Sequence, residues 1–180
     1  MGKFSTYLAA TATVGLLALG TNSVLIPAQA DSGRECREIQ ELRDILQKSQ
    51  LAELHQVEED FHLAGSYGGD LDLEMSLWAN DATLTIVSTG AVISGKDAIR
   101  TFWTGAGPFN HYWVGLTPAF KLTADIHGDT AELTFQCVYV DPAVTPAVVV
   151  GDAILTGTVK KVHGKWLLWH MKSLPATLQP

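Results

Sequence analysis

A change of period limits what this chain can fold into more than any other feature. Before Pro108 the apolar side chains recur at threes and fours; after it they recur at every second position until the carboxy-terminal tail. A helix repeats every 3.6 residues and a strand every two, so the first half reads as helices and the second as sheet. From Arg34 to about Ser66, the residues Ile39, Leu42, Leu46, Leu54, Val57, Phe61 and Ala64 mark one stripe of a long helix. Tyr67-Gly68-Gly69 stops it. Asp70 is placed to cap a short second helix whose buried side is Leu73, Leu77 and Trp78, and Asn80-Asp81 then turns the chain. Thr83 to Val87 and Gly90 to Ser94 read as strands, and Lys96 to Trp103 as a third helix stopped by Gly105 and Gly107.

In the second half, Val114, Leu116, Phe120, Leu122, Ala124 and Ile126 share one face of a first long strand. With Gly128-Asp129 as a two-residue hairpin tip, Ile126 falls opposite Ala131, and Leu133, Phe135, Cys137 and Tyr139 join the same apolar face. A second hairpin at His163-Gly164 aligns Val159 with Leu168. It places Leu155, Val159, Trp166, Leu168 and His170 on one side, and Leu167, Trp169 and Met171 on the other. Helices first and antiparallel strands afterwards predict an α+β arrangement with the helices on one sheet face. Leu167, Trp169, Met171, Val138 and Trp113 would then leave the outer face apolar, which predicts a homodimer through that face, against the alternative of scattered surface hydrophobes.

Residues 1–30 hold a single charged side chain, Lys3, then an apolar run from Tyr7 to Gly20 and Ala28-Gln29-Ala30 before Asp31. This is the layout of a secretory signal peptide, and the run is short of the ~20 residues that a stable membrane span needs. The expected product is one exported domain, 31–180, secreted or periplasmic and without a stable membrane anchor. In an oxidising compartment Cys36 and Cys137 are free to form a disulfide or to stay as two separate thiols. The formal charge of −7, with twelve scattered basic residues, excludes a nucleic-acid footprint.

Five strings in order resemble a known pattern: Gly69-Asp70 between the long and the short helix, Trp78-Ala79-Asn80-Asp81-Ala82-Thr83-Leu84, Ile93-Ser94-Gly95-Lys96-Asp97-Ala98-Ile99-Arg100-Thr101-Phe102-Trp103, Gly128-Asp129-Thr130-Ala131, and Gly164-Lys165-Trp166. Over residues 38 to 174 the chain is similar to SnoaL-like domains of the nuclear transport factor 2-like superfamily. The resemblance implies a cone, in which a curved antiparallel sheet wraps three amino-terminal helices around an apolar cavity. Members use that cavity for binding, or for proton transfer without a cofactor.

Within such a cavity, strand parity nominates His170, Tyr139 and Tyr112, with Asp141 at the rim. His170 would act as general base or acid oriented by Asp141, and a Tyr as hydrogen-bond donor to a carbonyl or enolate oxygen. His62 and Tyr67 on the first helix, and Asp81 after the second, are further candidates. The aromatic set Trp78, Phe102, Trp103, Phe109, Tyr112 and Trp166 would line the cavity or fill the core. Each inward His or Tyr serves equally well as a hydrogen-bonded core residue. Isomerase-like members pair a helix Tyr with strand carboxylates, whereas the inner strand positions here are Leu133, Phe135 and Cys137, which argues against that reaction. The His spacing, the absence of Cys-x-x-Cys and the lack of a phosphate-loop motif point to no metal and no cofactor. Three readings follow: a protein that binds a small, largely apolar molecule, a cofactor-independent lyase or isomerase, and a structural dimerisation module.

Overall fold

The computed structural model describes residues 32–117 and 121–176. The expected signal peptide and Phe120 lie outside them. The chain divides into two compact units between Glu38 and Ile39. In the first, Arg34 pairs with Glu38 one turn along the helix, both exposed; the second unit holds the sheet and the core.

Helix α1 (Ser32–Ala64) is followed by α2 (Leu71–Ser76), β1 (Trp78–Ile86), β2 (Ala91–Ser94), α3 (Lys96–Thr104) and a short 3-10 turn (Gly107–Phe109). The strands β3 (Val114–Leu116), β4 (Leu122–His127), β5 (Thr130–Asp141), β6 (Val148–Val162) and β7 (Lys165–Pro175) complete the chain. Asp70 caps α2 by accepting hydrogen bonds from the backbone N–H groups of Asp72 and Leu73, as its position predicts. The strands form one seven-stranded sheet in the order β2-β1-β7-β6-β5-β3, with β4 also on β5. The sheet is curved and unclosed, and with the helices it makes the expected α+β cone. It is mixed, because β1 runs parallel to β7 while the other pairs are antiparallel.

Both hairpins take the expected register, Ile126 opposite Ala131 and Val159 opposite Leu168. Leu133, Phe135, Cys137 and Tyr139 are buried together and meet Leu54, Val57 and Phe61 of α1 in one core. Burying each of these large apolar side chains contributes about 1.5–3 kcal/mol, which dominates the stability of the unit. The expected helical stripe is only half used. Ile39, Leu42 and Leu46 are 49%, 66% and 59% exposed, because a stripe is buried only where a surface opposes it and the core begins at Leu54.

Three departures from the alternating pattern matter for the site. The stretch Val114 to Ile126 is two strands, β3 ending with Leu116 opposite Val138 and β4 beginning with Leu122 opposite Phe135 of β5. The alternation slips there, so that Gly115 lies opposite Tyr139, and Val114 and Leu116 lie opposite Val140 and Val138. Second, β7 carries a bulge: Val159 pairs with Leu168 but Thr158 pairs with His170, leaving Trp169 as the extra residue. One extra residue reverses the parity beyond it. Met171 is consequently buried and His170 exposed, the opposite of the sequence expectation. Gly157 makes the bulge possible: at φ +148, any Cβ there would collide with the His170 carbonyl oxygen. Third, β1 spends residues 79–82 where β7 has one, so Asn80-Asp81 is an outward kink inside a strand instead of a turn.

The outer face is correspondingly less apolar than expected. Met171 and Val138 are buried, Trp113 packs against the core, and Leu167 and Trp169 remain half-buried. Cys36 and Cys137 are both free, the first exposed and the second buried, so no disulfide joins them. Among the described residues no helix is long and apolar enough to cross a membrane.

Candidate functional site

Between the sheet and the helices lies a cavity of about 260 Å³. Phe61 of α1, Phe102 and Trp103 of α3, Trp113, and Leu84, Cys137, Tyr139 and Leu155 of the sheet line it, with Asp152 and Ser173 as further polar members. The wall is therefore aromatic and aliphatic with a few polar atoms, the composition of a small-molecule site.

Tyr139 stands in a slot made by the absence of side chains. Gly115 and Gly151 flank it on the neighbouring strands, and a Cβ at Gly115 would lie 3.0 Å from its ring. On the helix side, a Cβ at Gly65 would lie 3.1 Å from its hydroxyl oxygen. Burial, and the negative charges that Cys137 and Glu74 would bring, hold the phenol well above its ordinary pKa. It is a neutral hydrogen-bond donor across the physiological range. Burial does the same to the Cys137 thiol, helped by Glu74, Glu58 and Asp152, so this cysteine is an inert part of the wall.

Behind Tyr139, with ring centroids 6.4 Å apart, is His62. Its Nδ1 lies 2.8 Å from Glu58 Oε1 and 2.9 Å from the Glu58 carbonyl oxygen. Both neighbours accept, so Nδ1 carries the proton and Nε2 faces Thr117 Oγ1 at 3.3 Å. The Thr117 hydroxyl donates to the carbonyl of Gln136, whose side-chain amide donates to Asp152 Oδ1 at 2.7 Å. Burial alone would raise the Glu58 pKa, but the hydrogen bond from His62, the polar Thr117 hydroxyl nearby and the charges of His62 and His55 outweigh it, and the carboxyl is held below its ordinary value. A buried carboxylate and an oriented imidazole suit proton transfer. They face a separate cleft of about 490 Å³ that includes His55, Glu59, Tyr67 and Leu122.

The other nominated residues scatter. His170 is exposed, shares a 3.0 Å hydrogen bond with Thr83 and stacks on Trp169 at 3.9 Å between centroids. Asp141 accepts from the backbone of Ala143 in a turn and orients no imidazole. Tyr112 is 75% exposed beside Gly68, and Tyr67 is 66% exposed at the cleft. Asp81 accepts from Lys160 and Trp169 on the outer face. Phe109 packs on Trp103 without reaching the cavity wall. Trp78 and Trp166 are core. Of the proposed catalytic trio, the structure brings only Tyr139 to the cavity. Glu58 and Thr117 escaped sequence reasoning, and Trp113, expected on the outer sheet face, lines the cavity instead. The His62-Glu58 spacing of one helical turn was the available signal.

One buried acid stands apart. Glu74 of α2 is 1% exposed; its Oε1 accepts from Trp78 Nε1 at 2.8 Å, and its Oε2 has no partner among the described residues. Burial pushes its pKa up to about 8, against the smaller opposing effect of the Trp78 bond. Among the described residues no three His, Cys, Asp or Glu are placed to hold a metal ion.

Solved structures share this architecture at low identity. A nuclear transport factor 2-like protein with a cystatin-like fold from Novosphingobium aromaticivorans superposes with a TM-score of 0.59 and 13% identity, over 86% of this chain and 94% of its own. The chain adopts the nuclear transport factor 2-like fold. A cystatin-like-fold protein of unknown function from Nostoc punctiforme has the same TM-score, 0.59, at 18% identity over 72% of this chain and 92% of its own. A second Novosphingobium aromaticivorans protein, provisionally named a scytalone dehydratase, gives 0.60 at 13% identity over 73% and 87%. No protein-family model matches the chain, and no curated protein does. Within the nuclear transport factor 2-like fold, the interior of the cone here is the cavity beside Tyr139.

Proposed function

We propose that this protein binds a small, largely apolar molecule in the cavity of the cone. The observation that carries the reading is the wall itself: about 260 Å³ lined by Phe61, Phe102, Trp103, Trp113 and Tyr139. That space suits a bicyclic hydrocarbon skeleton of roughly ten non-hydrogen atoms. The reading includes export, supported by the signal-peptide layout of residues 1–30, and no cofactor. Self-association through the outer sheet face keeps Leu167 and Trp169 as its apolar support.

The test is titration with tetralin, followed by tryptophan fluorescence, since Trp103 and Trp113 stand in the wall. Saturable binding in the wild type that is abolished by Ala153→Phe, which fills the cavity from β6, is the expected result. No saturable response, or unchanged affinity in the filled variant, removes the reading.

A second reading has its own observation. The buried His62-Glu58 pair one ring behind Tyr139 favours a cofactor-independent lyase or isomerase, and a neighbouring fold carries the provisional name of a dehydratase. In this reading His62 takes the place first assigned to His170. It predicts turnover that His62→Ala abolishes and His170→Ala leaves intact.

A further inference from the structure

The fold leaves an apolar patch uncovered at one end of the sheet. β7 stops at Pro175 opposite Ala153, so residues 148–152 of β6 have β5 as their only strand neighbour among the described residues, and the β5–β6 hairpin runs on past the end of β7. Val144 in its turn and Val148, Val149 and Val150 on its return strand are all exposed. On the sheet face opposite to Tyr139, Val149, Val140 and Val114 lie abreast on β6, β5 and β3, with exposed Leu116 two residues further along β3. A contiguous apolar patch of this kind marks a place that meets something other than water.

Charge narrows what meets it. Residues 142–151 hold no charged side chain, and no Lys or Arg occurs in residues 101–120 or 122–159. The carboxylates that bracket the hairpin tip are committed to the protein, Asp141 accepting from the Ala143 N–H and Asp152 from the Gln136 amide. An anionic membrane therefore finds no cation to pair with here. A stable protein interface takes about 20–30 residues a side, far more than this patch offers. A neutral lipid surface asks for neither counter-charge nor a complementary shape. Tyr112, exposed two residues before Val114, is a side chain favoured at the boundary between lipid and water. The patch also adjoins the cavity: Gly151, Asp152 and Ala153, which follow directly on Val150, and Trp113, which precedes Val114, belong to the cavity wall.

We propose that this corner of the sheet docks on the surface of a zwitterionic lipid bilayer, and that the apolar molecule held by the cavity is taken from that bilayer. The second half rests on the cavity being the binding site; the first does not.

The experiment floats the protein with phosphatidylcholine vesicles. The expected result is co-flotation that neither high salt nor added phosphatidylglycerol strengthens or weakens by more than about twofold, because no ion pairing contributes. Val144→Asp and Val149→Asp each lower the partition coefficient about tenfold, and Val144→Trp raises it, a gain that misfolding does not produce. From vesicles carrying dissolved tetralin, Val144→Asp takes up the hydrocarbon more slowly than the wild type, while its affinity for tetralin in lipid-free solution is unchanged. Absence of flotation, flotation that requires the anionic lipid, or equal partition of wild type and variants overturns the docking. So does a dimer that the same Asp substitutions dissolve, with no flotation, since the patch then belongs to a second copy. Equal uptake rates overturn the bilayer as the source of the ligand and leave the docking standing. Flotation with no tetralin binding, in solution or from vesicles, removes the cavity reading and the ligand source together, and the docking stands.

Discussion

His62 Nδ1 lies 2.8 Å from the carboxylate of Glu58, one helical turn earlier, with both residues buried between α1 and the sheet. The contact is a charge-assisted hydrogen bond in a site largely shielded from water, where leaving one partner unpaired is costly. Glu58→Gln is expected to destabilise the fold by about 1–3 kcal/mol near neutral pH. The Glu58 pKa is lowered in the folded state, so its contribution is present above the ordinary carboxylate range and is lost as pH falls through the folded value. Urea denaturation curves of wild type and variant should therefore converge in acid. A gap that persists there would mean that the pair acts through shape alone.

Glu74 predicts the opposite slope. Its folded pKa, about 8, lies above the ordinary value of 4.5, so the folded protein holds a proton that the unfolded chain releases. The associated stability is complete below the unfolded pKa and declines through the interval up to about 8, by at most ~1.4 kcal/mol per pH unit. Glu74→Gln keeps an oxygen for Trp78 Nε1 and removes the titration. The variant should overtake the wild type in stability as pH rises towards 8, as thermal melts across a pH series would show. Parallel pH profiles for the two proteins would refute it.

Gly115 leaves room for two side chains at once. A Cβ there would sit 3.0 Å from the Tyr139 ring, 3.1 Å from the His62 carbonyl oxygen and 3.2 Å from the His62 ring. Gly115→Ala is expected to cost about 1–3 kcal/mol by overpacking and to displace Tyr139 within the cavity. Reduced ligand affinity alongside a lower denaturation midpoint is the measurable pair of effects.

His170→Ala should change little. The side chain is exposed, and its hydrogen bond to Thr83 and its stacking on Trp169 lie on the outer face. A stability loss within about 0.5 kcal/mol and unchanged ligand affinity are expected. Loss of binding or turnover in this variant would restore the residue to the site.

How much of this was legible beforehand depended on whether a feature was local. The run Leu133, Phe135, Cys137 and Tyr139 could be placed on one face because Gly128-Asp129 pins the hairpin and the period of two carries the parity along an unbroken strand. His170 could not be placed, because one extra residue at Trp169 inverts everything after it and only the pairing of three strands reveals the bulge. His62 and Glu58 stood at helical spacing in the sequence, yet neither their burial nor the approach of Thr117 from 55 residues away is a local property.

The long first helix, the two hairpin registers and the α+β order were determined by the sequence itself, since side-chain period and turn chemistry act over a few residues. Tertiary structure alone decided which half of the α1 stripe is buried, which side of β7 meets the core beyond its bulge, and which buried polar atoms lack a partner among the described residues. Each of these depends on the surface that comes to lie opposite, and that surface is assembled from strands distant in the chain.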